Sequence, residues 1–109
     1  MRALEIFRNH ILAGILTEIN RRHYTFSYDD AYFTDPAKPP ISLTFPKTQK
    51  EYTGEFLFPF FSNMIAEGEN KKLQSRLLKI DENDQFGLLM STATADTIGN
   101  ITVRKMDIT

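Results

Sequence analysis

Ala3-Leu4-Glu5-Ile6-Phe7-Arg8-Asn9-His10-Ile11-Leu12-Ala13-Gly14-Ile15-Leu16 is the most informative segment near the start of this chain. Two apolar-rich runs, Ala3–Phe7 and Ile11–Leu16, flank the polar triplet Arg8-Asn9-His10. Asn9 tolerates the positive φ that a tight hairpin turn demands, so the segment predicts two antiparallel strands. Gly14, inside the second run, marks a bulge or a close backbone approach.

Working outward, Tyr24, Phe26 and Tyr28 alternate with Thr25 and Ser27, a period of two that predicts a further strand ending at Asp29-Asp30. Asp35-Pro36 and Pro39-Pro40 stiffen a loop. Ile41, Leu43 and Phe45 then alternate with Ser42 and Thr44, predicting another strand that stops at Pro46. Lys47–Gly54 is polar and reads as a surface loop. The period then changes. Pro59 suits the first position of a helix, and Phe60, Phe61, Met64 and Ile65 form its apolar stripe. Gly68 is suited to end that helix, and Asn70 to cap a second one whose buried face is Leu73, Leu77, Leu78 and Ile80. Asp81 or Asn83 starts another turn, carrying Phe86, Leu88, Leu89 and Met90. Ser91–Asn100 reads as a loop, and Ile101 and Val103 as the last strand. Strands, then helices, then a strand predict one α+β domain over residues 1–109, a small antiparallel sheet or barrel packed with two to three short helices.

Composition narrows the function. The chain has 109 residues, 41% hydrophobic and 25% charged, with thirteen Lys plus Arg against fourteen Asp plus Glu. A net charge of −1 gives no global attraction to nucleic acid or anionic membrane. No apolar run reaches the roughly 18 residues that span a bilayer. There is no cysteine, which excludes thiolate chemistry and disulfides and fits a cytoplasmic setting.

Sites for chemistry are sparse. His10 and His23 are isolated from carboxylates at ligand spacing, so no metal site is expected. Asp29-Asp30, Asp81-Glu82 and Glu67/Glu69 read as turn and cap residues. The glycines are too dispersed for a phosphate cradle, and the phosphate-loop, kinase-loop and nucleophile-elbow motifs are missing. Neither catalysis nor a cofactor is expected. The basic doublets Arg21-Arg22 and Lys71-Lys72 read as solvated, without the clustered base-reading side chains of a DNA reader. The remaining feature is the apolar density of Phe56-Leu57-Phe58-Pro59-Phe60-Phe61, continued by Met64 and Ile65. Either all of these enter the core, or some of Phe61, Met64 and Ile65 stay exposed as a partner site.

With these residues in view, the chain resembles the N-terminal subdomain of HipA-type serine/threonine kinases, the toxins of bacterial toxin–antitoxin systems. The resemblance runs through Leu12–Leu16, Phe26–Asp29 with Tyr32, and Pro40–Leu43. It is strongest at Pro59-Phe60-Phe61-Ser62-Asn63-Met64-Ile65-Ala66-Glu67-Gly68-Glu69-Asn70, which is similar to the family's "PFFxGLLPEG" signature. Asp84 with Phe86, Leu88 and Leu89 is similar to "DxFxLL", and Asp96–Asn100 to a degraded "GGDCAGA". Asn63 stands where the signature has a glycine, and Ala66 where it has proline. HipA-type kinases carry nucleotide binding and catalysis in a further region of some three hundred residues. A chain of this length therefore resembles the small standalone subunits of tripartite HipBST systems (HipS). The resemblance implies an antitoxin without catalysis of its own. Its partners would be a HipT-like serine/threonine kinase toxin, which attacks an aminoacyl-tRNA synthetase, and a HipB-like helix-turn-helix DNA-binding protein in a ternary complex. The signature position makes Phe61, Ser62, Asn63, Met64, Ile65, Glu67 and Asn70 the expected partner-binding residues. The alternative is a structural lobe excised from a full-length HipA-type kinase.

Overall fold

A computed structural model of the chain describes residues 2–63, 84–92 and 101–106. Five strands, β1 (Arg2–Arg8), β2 (Ile11–Asn20), β3 (His23–Tyr28), β4 (Glu51–Gly54) and β5 (Ile101–Lys105), form one antiparallel sheet in the order β4-β3-β2-β1-β5. Among the described residues the sheet is open, with β4 and β5 as its edges. Among the same residues, three short helices accompany it: α1 (Asp30–Thr34), α2 (Pro59–Ser62) and α3 (Gln85–Thr92). This is the expected α+β class, with a sheet in place of the barrel alternative.

The first hairpin forms as its sequence dictates. Asn9 and His10 lie at φ 50° and 66°, the left-handed pair of a two-residue turn whose twist matches the flanking strands. The pairing steps from Ile6 opposite Gly14 to Phe7 opposite Leu12, so Ala13 is the extra residue of a bulge. Gly14 also meets the close approach expected of it. A Cβ there would lie 2.4 Å from the Ser27 carbonyl oxygen and 2.9 Å from the Phe26 ring.

Leu4, Ile6, Leu16, Phe26 and Tyr28 project from one face of the sheet into the core. Phe45, Leu57, Phe61, Phe86, Leu88 and Leu89 join it, with Ala13, Tyr32, Ile41, Ile101 and Val103. The centre is aromatic: the Phe26 ring lies 5.0 Å from both Tyr28 and Phe45 and 5.8 Å from Phe61.

Two expectations about the first half of the chain need correction. Ile41–Phe45 is not a strand. Pro39, Pro40 and Pro46 supply no backbone donor, so a ladder is hard to sustain there. The loop is held instead by side chains. The Tyr28 hydroxyl donates to the Phe45 carbonyl and accepts from the Ile41 N–H at 3.2 Å, and the Tyr32 hydroxyl donates to the Pro39 carbonyl at 2.5 Å. Ile41 and Phe45 are buried, whereas Leu43 is 96% exposed. Second, the supposed loop Lys47–Gly54 contains the edge strand β4. Asp29 ends β3, as expected. It caps α1, its carboxylate accepting from the N–H groups of Ala31 and Tyr32. The loop expected over Ser91–Asn100 starts later, because Ser91 and Thr92 close α3. Gly68 as the end of the first expected helix, Asn70 as the cap of the second, that helix over Leu73–Ile80, and residues 93–100 lie outside the described residues.

Candidate functional site

The segment singled out for partner binding begins on α2. Pro59 occupies the helix start, and Phe58 precedes it in extended conformation without a side-chain cap. The Asn63 N–H donates to the Pro59 carbonyl at 2.9 Å and ends the turn. Of the expected residues, Phe61 is fully buried, its ring 5.2 Å from Phe60 and 5.7 Å from Phe45. Its side chain therefore belongs to the core, where burying a phenylalanine stabilises by about 1.5–3 kcal/mol. Ser62 is half-buried and its hydroxyl donates to the Pro59 carbonyl at 3.2 Å, while Asn63 is exposed. Met64, Ile65, Glu67 and Asn70 lie outside the described residues.

A second feature was not legible in the sequence. The register places Arg2 opposite Glu18, Glu18 opposite Tyr24, and Tyr24 opposite Gly54, one transverse row across the sheet. Beside this row opens a cleft of about 550 Å³ whose lining includes Arg21, Phe56, Asp84 and Gln85. Its floor is an ionic network. The Arg2 guanidinium donates twice to the Asp84 carboxylate, at 2.8 and 3.0 Å, and through Nε to Glu18 at 2.8 Å. Tyr24 donates its hydroxyl to the other Glu18 oxygen at 3.0 Å. The Arg2 guanidinium also lies 5.1 Å from the centre of the Phe86 ring.

Each charge is tuned by this arrangement. The hydrogen bonds from Arg2, helped by the Gly87 N–H, hold the Asp84 carboxyl below its ordinary range against the opposing effect of burial. Burial, then the bond to Glu18, pushes the Tyr24 phenol up. Arg2 holds its proton more tightly than a free guanidinium, chiefly through Asp84. Asp84 also heads α3: its Oδ1 accepts from the Gly87 N–H at 3.1 Å, and its carbonyl accepts from the Leu88 N–H at 3.0 Å. The helix thus starts one residue after Asp84, whereas Asp81 and Asn83, the expected starting residues, lie outside the described residues.

The rim of the cleft differs from its floor. Phe56 is 74% exposed, and Arg21 makes no ion pair among the described residues. No sequence signal separated Phe56 from its buried neighbours Leu57 and Phe61, because exposure here follows from how the chain turns after β4.

His10 and His23 are exposed, and no group of three or more His, Cys, Asp or Glu suited to a metal occurs among the described residues. Asp30 pairs with Lys50, so the Asp29-Asp30 pair is a cap and a surface ion pair. No helix among the described residues is long and apolar enough to cross a membrane.

The sequence model of the HipA N-terminal domain matches residues 4–104. An uncharacterised protein of Haemophilus influenzae is 32% identical over 91 residues, covering 84% of this chain and 81% of that protein. The putative kinase Y4mE of Sinorhizobium fredii is 22% identical over 89 residues; the match covers 82% of this chain but only 21% of the kinase. Among solved structures, the N-terminal domain of HipA toxin superposes with a TM-score of 0.72 at 25% identity, covering 100% of this chain and 96% of that one. The matches cover an N-terminal domain and no kinase catalytic region. The chain belongs to the HipA N-terminal domain family.

Proposed function

We propose that this chain is the antitoxin of a bacterial toxin–antitoxin system, a HipS-type protein that binds and neutralises a HipT-like serine/threonine kinase without catalysis of its own. One observation carries the reading. The same domain accounts for 21% of a putative kinase and for 81% of a relative hardly larger than the domain itself. A lobe found both attached to a kinase and nearly alone is suited to act on a kinase in another polypeptide. The proposed partner-binding residues are Phe61, Ser62 and Asn63 with Met64, Ile65, Glu67 and Asn70 of the same signature segment. Two or three apolar anchors, each worth about 1.5–3 kcal/mol, suffice for a standard interface of roughly 800 Å² per partner. The inhibition is steric: the domain docks beside the kinase cleft and keeps nucleotide or substrate from a productive geometry. A HipB-like DNA-binding protein completes the complex in the cytoplasm, and this chain contacts neither nucleic acid nor membrane.

The test is co-expression with the HipA-type kinase encoded beside it. Co-purification at a fixed ratio and relief of kinase toxicity are expected. A kinase that stays toxic and elutes alone would refute the reading. The match within a putative kinase also favours a second reading, a structural lobe of a longer kinase. That reading expects the adjoining coding sequence to continue in frame into a catalytic region.

A further inference from the structure

Lys47 closes a loop on itself. Its ammonium donates to the Asp35 carbonyl and to the Lys38 carbonyl, each at 2.7 Å, and lies 5.2 Å from the centre of the Tyr32 ring. Two carbonyl oxygens and an aromatic face converging on one charge make a cation site. The local sequence builds it. Across Asp35-Pro36-Ala37-Lys38 the Lys38 N–H donates to the Asp35 carbonyl at 3.1 Å and the Ala37 N–H to the Asp35 carboxylate at 2.9 Å. This turn offers the carbonyls at its two ends to one donor. The Asp35 carboxylate does not compete for Lys47, because the Lys38 ammonium takes it at 3.0 Å. Tyr32 is almost fully buried, and its hydroxyl bond to the Pro39 carbonyl holds the ring beside the turn.

The two ends of the loop are Asp35, directly after α1, and Lys47, four residues before β4. Between them, Pro39, Pro40 and Pro46 bring no backbone donor. Tyrosine hydroxyls hold the crown to the sheet and α1: those of Tyr28 and Tyr32 described above, and that of Tyr52 on the Pro46 carbonyl. A compact surface loop whose ends lie close together is an Ω-loop, and here the Lys47 ammonium joins the ends. Bringing the ends of such a loop together costs entropy, which this contact must offset.

We propose that the Lys47 ammonium is a charge-dependent latch: it fills a cation site made by the Asp35 and Lys38 carbonyls and the Tyr32 ring, closes residues 35–47 as one unit, and lets the loop open when the charge is removed. The ligand this site takes is a primary ammonium group, supplied here by the chain itself. Leu43, 96% exposed on the same loop, stands where the latch places it. The inference is independent of the antitoxin reading, since every group in it belongs to this chain.

Hydrogen exchange of the full chain, followed by mass spectrometry, tests the latch in wild type, Lys47→Met, Lys47→Ala and Lys50→Met. The reporters are the Ile41 and Phe45 amides, which donate to the Tyr28 hydroxyl and the Ser42 carbonyl. Lys47→Met keeps the aliphatic stem and removes the donors, and should speed their exchange by about tenfold or more. Lys50→Met removes an exposed ammonium that pairs with Asp30, outside the loop, and should leave them unchanged. Added methylammonium should slow exchange in Lys47→Ala, whereas tetramethylammonium, equally charged but without N–H, should not. Unchanged protection of β1 and β2 checks that each variant folds. Exchange in Lys47→Met within twofold of wild type, or equal effects of the two added cations, would overturn the latch. Reductive methylation of the wild-type chain gives a check that needs no variant. Lys47 should label several-fold more slowly than the exposed Lys105, and equal rates would overturn the proposal.

Discussion

Replacing Arg2 by Met should cost this domain about 2 kcal/mol, a figure set by the burial of the network it holds. Methionine keeps most of the aliphatic stem against Phe86 and removes only the guanidinium. Three charge-assisted hydrogen bonds disappear, two to Asp84 and one to Glu18. The side chains of Arg2 and Asp84 are 35% and 34% exposed, so water compensates Asp84 in part, and this half of the network resembles a surface pair worth about 0–1 kcal/mol. Glu18 differs. Its side chain is 12% exposed, and without Arg2 it keeps only the Tyr24 hydroxyl as a hydrogen-bonding partner among the described residues. A poorly solvated carboxylate losing its cation brings the total to about 2 kcal/mol, or roughly 10 °C in melting temperature for a domain of this size. Urea denaturation gives the value directly. A double-mutant cycle with Asp84→Asn should return a coupling energy of about 1 kcal/mol. A loss below about 0.5 kcal/mol, or no coupling, would refute the claim that this network fastens α3 to the sheet.

Other outcomes follow from the same geometry. The folded Asp84 carboxyl titrates below its unfolded value, so its contribution is complete above about pH 4 and fades as acid protonates it; Arg2→Met should flatten the stability–pH curve in that acid range. Gly14→Ala forces a Cβ to within 2.4 Å of the Ser27 carbonyl oxygen and should destabilise by about 2–4 kcal/mol in urea denaturation. Tyr28→Phe strands the Phe45 carbonyl and the Ile41 N–H, at a cost of about 1–3 kcal/mol by the same method. Burial pushes the Tyr28 phenol up to about 12, so its share of stability is intact below about pH 10 and is lost as pH rises towards 12, which ultraviolet titration with a Tyr28→Phe control resolves. His10→Gly relieves a side chain at φ 66° and should raise the melting temperature, by up to about 1 kcal/mol of stability.

Local patterns carried much of the fold. The first hairpin, β3 and β5 were legible because each buries alternate residues on one sheet face, and Asn9 and Gly14 stand where a turn and a bulge require them. Ile41–Phe45 mimicked that alternation without forming a strand. Side chains of equal parity there have opposite fates, Phe45 in the core and Leu43 in solvent, because tyrosine hydroxyls rather than a ladder hold the loop. β4 was hidden by its polarity, since a short edge strand needs only one partner and half a buried face. α1 is five residues long and shows no periodicity; its one signal was Asp29 as a capping residue. At the site, Pro59 correctly marked a helix start, but the choice between core and surface for Phe61 depended on tertiary packing. The cleft assembles Arg2, Glu18, Tyr24 and Asp84 from distant parts of the chain, which no local motif encodes.

The central claim is that this domain acts on a kinase in another polypeptide. Titrating the full chain into a HipA-type kinase encoded beside it, and following kinase autophosphorylation, tests it most directly. Phosphate incorporation should fall to background once the chain reaches its binding ratio. Incorporation that continues undiminished with the chain in large excess would contradict the account.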